Sequence, residues 1–184
     1  MSSLPDTTDS PFLTGDPYDT RVERTFGFID LSGFTQFTDE HGDAEAVRLL
    51  ARFRTAVREV AAQRGVRVAK WLGDGAMLVS VERELLVEAI VAIQDLLGDC
   101  VLPLPLRAGI ASGPVILFEG DDYIGMAVNL AARLADLAGP GEVLAHAEVM
   151  SSLMVNTSAE PIGRRSLPGI AEPLEVVRLI SSDA

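Results

Sequence analysis

Residues 66–81 read VRVAKWLGDGAMLVSV. Two apolar, β-forming runs flank Gly73-Asp74-Gly75. Asp-Gly between β-formers is a strong local hairpin signal, because a tight turn needs residues tolerant of positive φ. The stretch therefore predicts a β-hairpin with an aspartate at its tip and Lys70 in its first strand. Taken alone, Asp74 reads as a turn residue. A chemical role requires a second carboxylate nearby and a reason for the lysine.

Lys70 is the only lysine in a chain with 15 lysines and arginines together. A sequence that otherwise uses arginine throughout has chosen a compact ammonium here over a planar guanidinium. That choice supports a specific role without proving one.

Outward from the hairpin, composition bounds the class. The chain has 184 residues, of which 48% are hydrophobic, enough for one domain with its own core. No apolar run reaches the roughly 18 residues of a membrane helix, and the first residues lack the basic start and apolar middle of a secretory signal. One cysteine, Cys100, gives no disulfide framework, which fits a reducing cytoplasm. A formal net charge of −12 argues against a nucleic-acid surface. A bound polyphosphate would then need divalent cations and a few placed arginines. Residues 1–20 carry four aspartates and no basic residue, and read as a disordered acidic tail before a single domain at 21–184.

Arg21 to Leu31 reads as a strand ending at Asp30, and Ser32-Gly33-Phe34-Thr35 opens a helix. A carboxylate at a strand end, followed by free backbone N–H groups at Gly33, Phe34 and Thr35, suits a metal ligand beside a phosphate cradle. Asp30 equally suits a favourable charge at a helix start. Ala44 to Arg64 is a helix with an apolar stripe of Val47, Leu50, Ala51, Phe53, Val57 and Val60. Beyond the hairpin come a helix (Glu82 to Leu97) and two strands, Leu106 to Ser112 and Pro114 to Phe118, broken at Gly113-Pro114. An acidic loop with Asp122 precedes a helix from Gly125 to Ala138, on which Asn129 and Arg133 lie four apart on one face. A short strand (Glu142 to Ala145), a short helix (Ala147 to Leu153) and strands near Ile162 to Leu167 and Pro173 to Ile180 complete the chain. The order predicts an α+β fold with a ferredoxin-like βαββαβ core and C-terminal additions.

The stretches FIDLSGFT, KWLGDGAM, LRAGIASGPV, GDDYIGMAVNLAARL, PGEVL and LPGIAEPLEV, in that order, resemble the catalytic domain of class III adenylate/guanylate cyclases. The short arm between Arg107 and Asn129 is similar to that of the compact bacterial subgroup. The resemblance implies that Asp30 and Asp74 hold two divalent cations, Mg²⁺ or Mn²⁺, with the Leu31 carbonyl assisting one. It implies that Lys70 and Asp122 read the purine, Asn129 positions the ribose, Arg133 stabilises the reacting phosphate and Arg107 contacts the phosphates. It also implies a homodimer with shared sites, one protomer giving Asp30, Asp74 and Arg107 and the other Lys70, Asp122, Asn129 and Arg133. A basic residue that contacts the terminal phosphates in the family lacks a clean counterpart, Arg164 and Arg165 being the nearest.

The base preference follows from polarity. Adenine presents an acceptor at N1 and a donor amino group, which a lysine and an aspartate complement; guanine presents the reverse and would be met by like groups. The expectation is an adenylate cyclase that acts on ATP. The alternative is a cyclase-like module that binds nucleotide without useful turnover.

Overall fold

The computed structural model describes residues 20–98, 102–120 and 122–182. The expected acidic tail, apart from Thr20, and Cys100 lie outside the described residues. The elements are β1 (Arg21–Leu31), α1 (Phe34–His41), α2 (Asp43–Gln63), β2 (Arg67–Leu72), β3 (Gly75–Ser80), α3 (Arg83–Gly98), β4 (Leu106–Phe118), β5 (Asp122–Ile124), α4 (Met126–Leu137), β6 (Val143–His146), β7 (Thr157–Arg165) and β8 (Leu174–Ser181).

One mixed sheet runs in the order β2-β3-β1-β4-β6-β8-β7, with β5 paired to β4. The first four strands of that order are mutually antiparallel, and β6 joins β4 in parallel. This is the ferredoxin-like βαββαβ core, extended by the C-terminal strands. Helices cover both faces. On one, α2 and α3 pack Leu49, Phe53, Val57, Leu86 and Ile90 against Ile29, Leu78 and Ile110. On the other, α4 lays Leu130, Ala131 and Leu134 over Phe26, Met77 and Ala111. Burial on both faces explains why the centre of β1, Thr25 to Ile29, is apolar almost without alternation. It also explains a glycine. A Cβ on Gly109 would lie 2.1 Å from the Ala135 nitrogen and 2.3 Å from the Ala131 carbonyl oxygen, so only glycine lets α4 seat on β4.

The hairpin forms as read, with a different turn. Leu72 pairs with Gly75, which leaves Gly73 and Asp74 as the loop, and the positive φ belongs to Gly73 (68°) rather than to Asp74. Gly75 serves another purpose: a Cβ there would fall 2.5 Å from the Ile29 carbonyl oxygen of the neighbouring strand. The register also shifts between Val68 and Lys70, a bulge the sequence pattern did not show.

Other expectations are corrected. Leu106 to Phe118 is one strand, not two, because β1 pairs with it from Leu106 to Ile116, straight past Gly113-Pro114. Pro114 falls between the segments of β4 that pair with β6 and with β5, where one edge is unpaired and a proline is admissible. The stripe of α2 is rotated: Val47 is 65% exposed and Ala51 is also exposed, while Ala46, Leu49 and Ala56 are buried. The many alanines of this helix hid the phase of the stripe. The helix expected over 147–153 is a single 3₁₀ turn, Ala147–Val149. β7 begins at Thr157, five residues before Ile162, because Thr157 to Pro161 pair in register with β8. His41 ends α1, its ring stacked on Phe37 at 4.3 Å.

Candidate active site

Asp30, Gly75 and Arg107 occupy one row of the sheet, on β1, β3 and β4. Partners directly opposite in a ladder point to the same face, so this row displays a carboxylate and a guanidinium side by side. Arg107 donates from Nε and a terminal nitrogen to Asp30 Oδ2, at 3.0 and 2.7 Å. Both side chains are partly buried. The other oxygen, Oδ1, faces β3: a Cβ on Gly75 would lie 3.1 Å from it. Asp74 sits beside Gly75 at the hairpin tip, and its backbone carbonyl accepts from Leu31 N–H at 3.3 Å. Burial first, and then the Asp30 charge, push the Asp74 carboxyl above the usual carboxylate range; a hydrogen bond from its own backbone and the Arg107 charge partly offset this. A cleft of about 230 Å³ opens over Asp30 and Arg107, bounded by Leu72, Gly75 and the α4 residues Ala132, Ala135 and Asp136.

Lys70 and Asp122 are 52 residues apart and meet as an ion pair, both about half exposed. Lys70 pairs across the ladder with Met77, so it stands on the face that α4 covers. Asp122 reaches it because β5 doubles back along β4 after a turn at Glu119 (φ 48°) and Gly120 (φ 82°). Beside Asp122, Tyr123 packs edge-on against Phe26 at 5.2 Å and holds β5 down.

Asn129 and Arg133 both lie exposed on α4. Arg133 pairs at 3.3 Å with Asp136 of the same helix, not with the carboxylates of β1 or the hairpin. Gly33 caps α1 in a left-handed conformation (φ 84°) with no side-chain cap, so the first backbone N–H groups of Phe34 and Thr35 lack a capping acceptor. The neighbouring Ser32 hydroxyl is buried without a partner. Arg164 and Arg165 are on β7, the last strand of the sheet, and Arg164 donates to the Pro173 carbonyl at 2.9 Å.

Apart from Gly33, Phe34 and Thr35 at the start of α1, the predicted residues thus form three groups within one chain: Asp30, Asp74 and Arg107; Lys70 with Asp122; and Asn129 with Arg133. One residue near the first group escaped the sequence reading. Asp136 reads as an ordinary exposed helix residue; only the fold sets it on the cleft over Asp30 and Arg107.

The donor set fits a hard divalent cation. Asp30 and Asp74 supply carboxylate oxygens, the ligands that Mg²⁺ and Mn²⁺ prefer, and both causes that raise the Asp74 carboxyl, burial first and the Asp30 charge second, disfavour an ionised form that a bound cation would favour. Among the described residues no group of three or more His, Cys, Asp or Glu converges, so further ligands would come from backbone, water or substrate. A larger cavity of about 740 Å³ lies between β4 and the start of α4, and contains none of the predicted side chains.

Comparison with known proteins points to one family. The family model described as adenylate and guanylate cyclase catalytic domain matches residues 20–179. An uncharacterized protein of Mycobacterium tuberculosis is 39% identical over 153 residues, covering 83% of this chain and 40% of that protein. A pH-sensitive adenylate cyclase of the same species is 31% identical over 171 residues, covering 90% of this chain and 42% of its own length. The chain therefore spans about two fifths of the length of these two curated relatives. The crystal structure of the adenylyl cyclase CyaB from P. aeruginosa superposes with a TM-score of 0.80 at 24% identity, over 89% of this chain and 96% of that one. Among the described residues no helix is long and apolar enough to cross a membrane.

Proposed function

The chain belongs to the adenylate and guanylate cyclase catalytic domain family, and from that premise we propose that it converts ATP to 3′,5′-cyclic AMP and pyrophosphate. The observation that carries the reading is the pair Asp30 and Asp74, from separate elements, presented together beside Arg107. Relatives named as adenylate cyclases support the reaction.

Asp30 and Asp74, with the Leu31 carbonyl, would hold two divalent cations. When bound, these lower the pKa of the ribose 3′-hydroxyl and neutralise charge on the departing pyrophosphate, so no side-chain base is required. Arg107, in the same row of the sheet as Asp30, would hold phosphate oxygens. Gly33, Phe34 and Thr35 offer free N–H groups at a helix start, where the backbone dipole favours anions. Lys70 donates to adenine N1 and Asp122 accepts from the amino group. Asn129 orients the ribose, and Arg133 meets charge that grows in the transition state.

Membership of the cyclase family favours a homodimer in which each site draws on both protomers, Asp30 and Asp74 from one and Asn129 and Arg133 from the other. The purified protein, given ATP or GTP with Mg²⁺ or Mn²⁺ at several protein concentrations, should form cyclic AMP with a specific activity that rises with concentration. Nucleotide binding without cyclic product, by folded and dimeric protein, would replace this reading with a binding module.

A further inference from the structure

Arg54 lies on α2, twenty positions before the hairpin tip and on the opposite side of the sheet from α4. Its guanidinium carbon is 5.0 Å from the Trp71 ring centroid, and a terminal nitrogen donates to the Gly73 carbonyl at 3.0 Å. Trp71 is itself fixed: Phe53 meets it edge-on at 6.3 Å, and Arg58 lies 4.9 Å from the same ring. The Arg54 Nε–H is buried with no partner. A buried donor left unsatisfied is a cost, tolerated here while the terminal nitrogen reaches the turn.

The Gly73 carbonyl belongs to the peptide unit that joins Gly73 to Asp74. Because a peptide unit is planar, holding that oxygen also holds the Asp74 N–H. On the other side, the Asp74 carbonyl accepts from Leu31 N–H at 3.3 Å. Both peptide planes that flank the Asp74 α-carbon are therefore anchored, one by Arg54 from α2 and one by β1. Without Arg54 the tip would be held on one side only, since β2 is the edge strand of the sheet.

We propose that Arg54 is a positioning residue: stacked on Trp71, it fixes the Gly73–Asp74 peptide and so aims the Asp74 carboxylate at the cation site shared with Asp30. The inference rests on the cyclase reading above. Residues that orient a metal ligand from behind typically govern about 10–100-fold in metal affinity.

The test measures Mn²⁺ directly, by the electron paramagnetic resonance signal of the free ion, in titrations of the full chain with and without a non-cyclisable ATP analogue. Thermal melting is recorded in parallel. Arg54→Ala should weaken Mn²⁺ binding about tenfold or more while the melting transition stays cooperative. Arg54→Lys, which keeps a donor, should recover part of the loss. Arg58→Ala, which removes the other cation on Trp71 but no bond to the turn, should bind Mn²⁺ as wild type does. Asp74→Asn should lose binding altogether. Wild-type affinity in Arg54→Ala, alongside loss in Asp74→Asn, overturns the positioning role and leaves the cation site standing. A wild-type protein that binds no Mn²⁺ even with the analogue overturns the cation site, and this inference with it.

Discussion

Arg107 and Asp30 face one another across the β1–β4 ladder, and both guanidinium donors converge on a single carboxylate oxygen, Oδ2. The partition is useful. One oxygen of Asp30 is neutralised from β4, while the other faces β3 and the hairpin tip. A chain with net charge −12 thereby holds two adjacent carboxylates on one face with a single arginine beside them. The arrangement suits a site that completes its charge balance only when cations and a polyphosphate arrive.

Shared sites predict complementation. Asp74→Ala should lose about 10³-fold or more in kcat, since metal ions supply several kcal/mol and about 1.4 kcal/mol is tenfold in rate; Asn129→Ala, which frees the ribose, should lose about 10²-fold. Mixed at equal amounts with free subunit exchange, they should recover about a quarter of wild-type activity, because half the dimers are mixed and each holds one intact site of two. Cyclic AMP formation before and after mixing measures this. No recovery, with exchange shown by labelled subunits, rejects the shared site.

Base selection should follow the polarity of Lys70 and Asp122. Asp122→Asn can donate as well as accept, so it removes one of the two mismatches that guanine meets, the one at its position-6 oxygen, while Lys70 still faces the N1–H. The ratio of kcat/KM for ATP over GTP should fall about tenfold or more. An unchanged ratio would place base recognition elsewhere.

Asp74 should cost the fold stability. Its folded-state pKa is raised by burial and by Asp30 from an ordinary value of 3.8, so the native protein binds the proton more tightly than the unfolded chain does. The stabilising contribution is complete below about pH 3.8 and is lost as pH rises through the folded value. At neutral pH the ionised group therefore opposes folding. In metal-free buffer Asp74→Asn should melt above wild type at pH 7, and the gap should close as the pH falls towards 4. Equal melting temperatures at pH 7 would rule this out.

Two glycines should respond differently to the same methyl group. Gly109→Ala drives a Cβ into α4 backbone atoms 2.1 and 2.3 Å away, which cannot yield without lifting the helix. Gly27→Ala meets the Ile90 Cδ1 atom at 2.2 Å, the far end of a flexible side chain. Overpacking of this kind costs about 1–3 kcal/mol, occasionally more. Gly109→Ala should sit at or above the top of that range in urea unfolding and Gly27→Ala near the bottom. Equal losses would show that α4 adjusts to β4.

The sequence by itself determined the elements of the core, because each is written locally. Short apolar runs for the strands and period-3.6 apolar stripes for the helices, with glycines at turns and helix ends, mark β1, the hairpin, α2, α3 and α4. It also marked the candidates for chemistry: a lone lysine among arginines, aspartates at a strand end and a turn, and Asn129 and Arg133 four apart on a helix. It did not determine where strands end when a neighbour sets the limit. Nothing local in Gly113-Pro114 shows that β1 will pair straight past it, nor in Thr157 that β8 will recruit it. The company of the site residues was equally out of reach. The pairing of Lys70 with Asp122, 52 residues on, the two bonds from Arg107 to Asp30 and the reach of Arg54 to the Gly73 carbonyl are decisions of tertiary structure. They arise because strand order and register, fixed by burial of both sheet faces, bring together side chains that no sequence spacing relates.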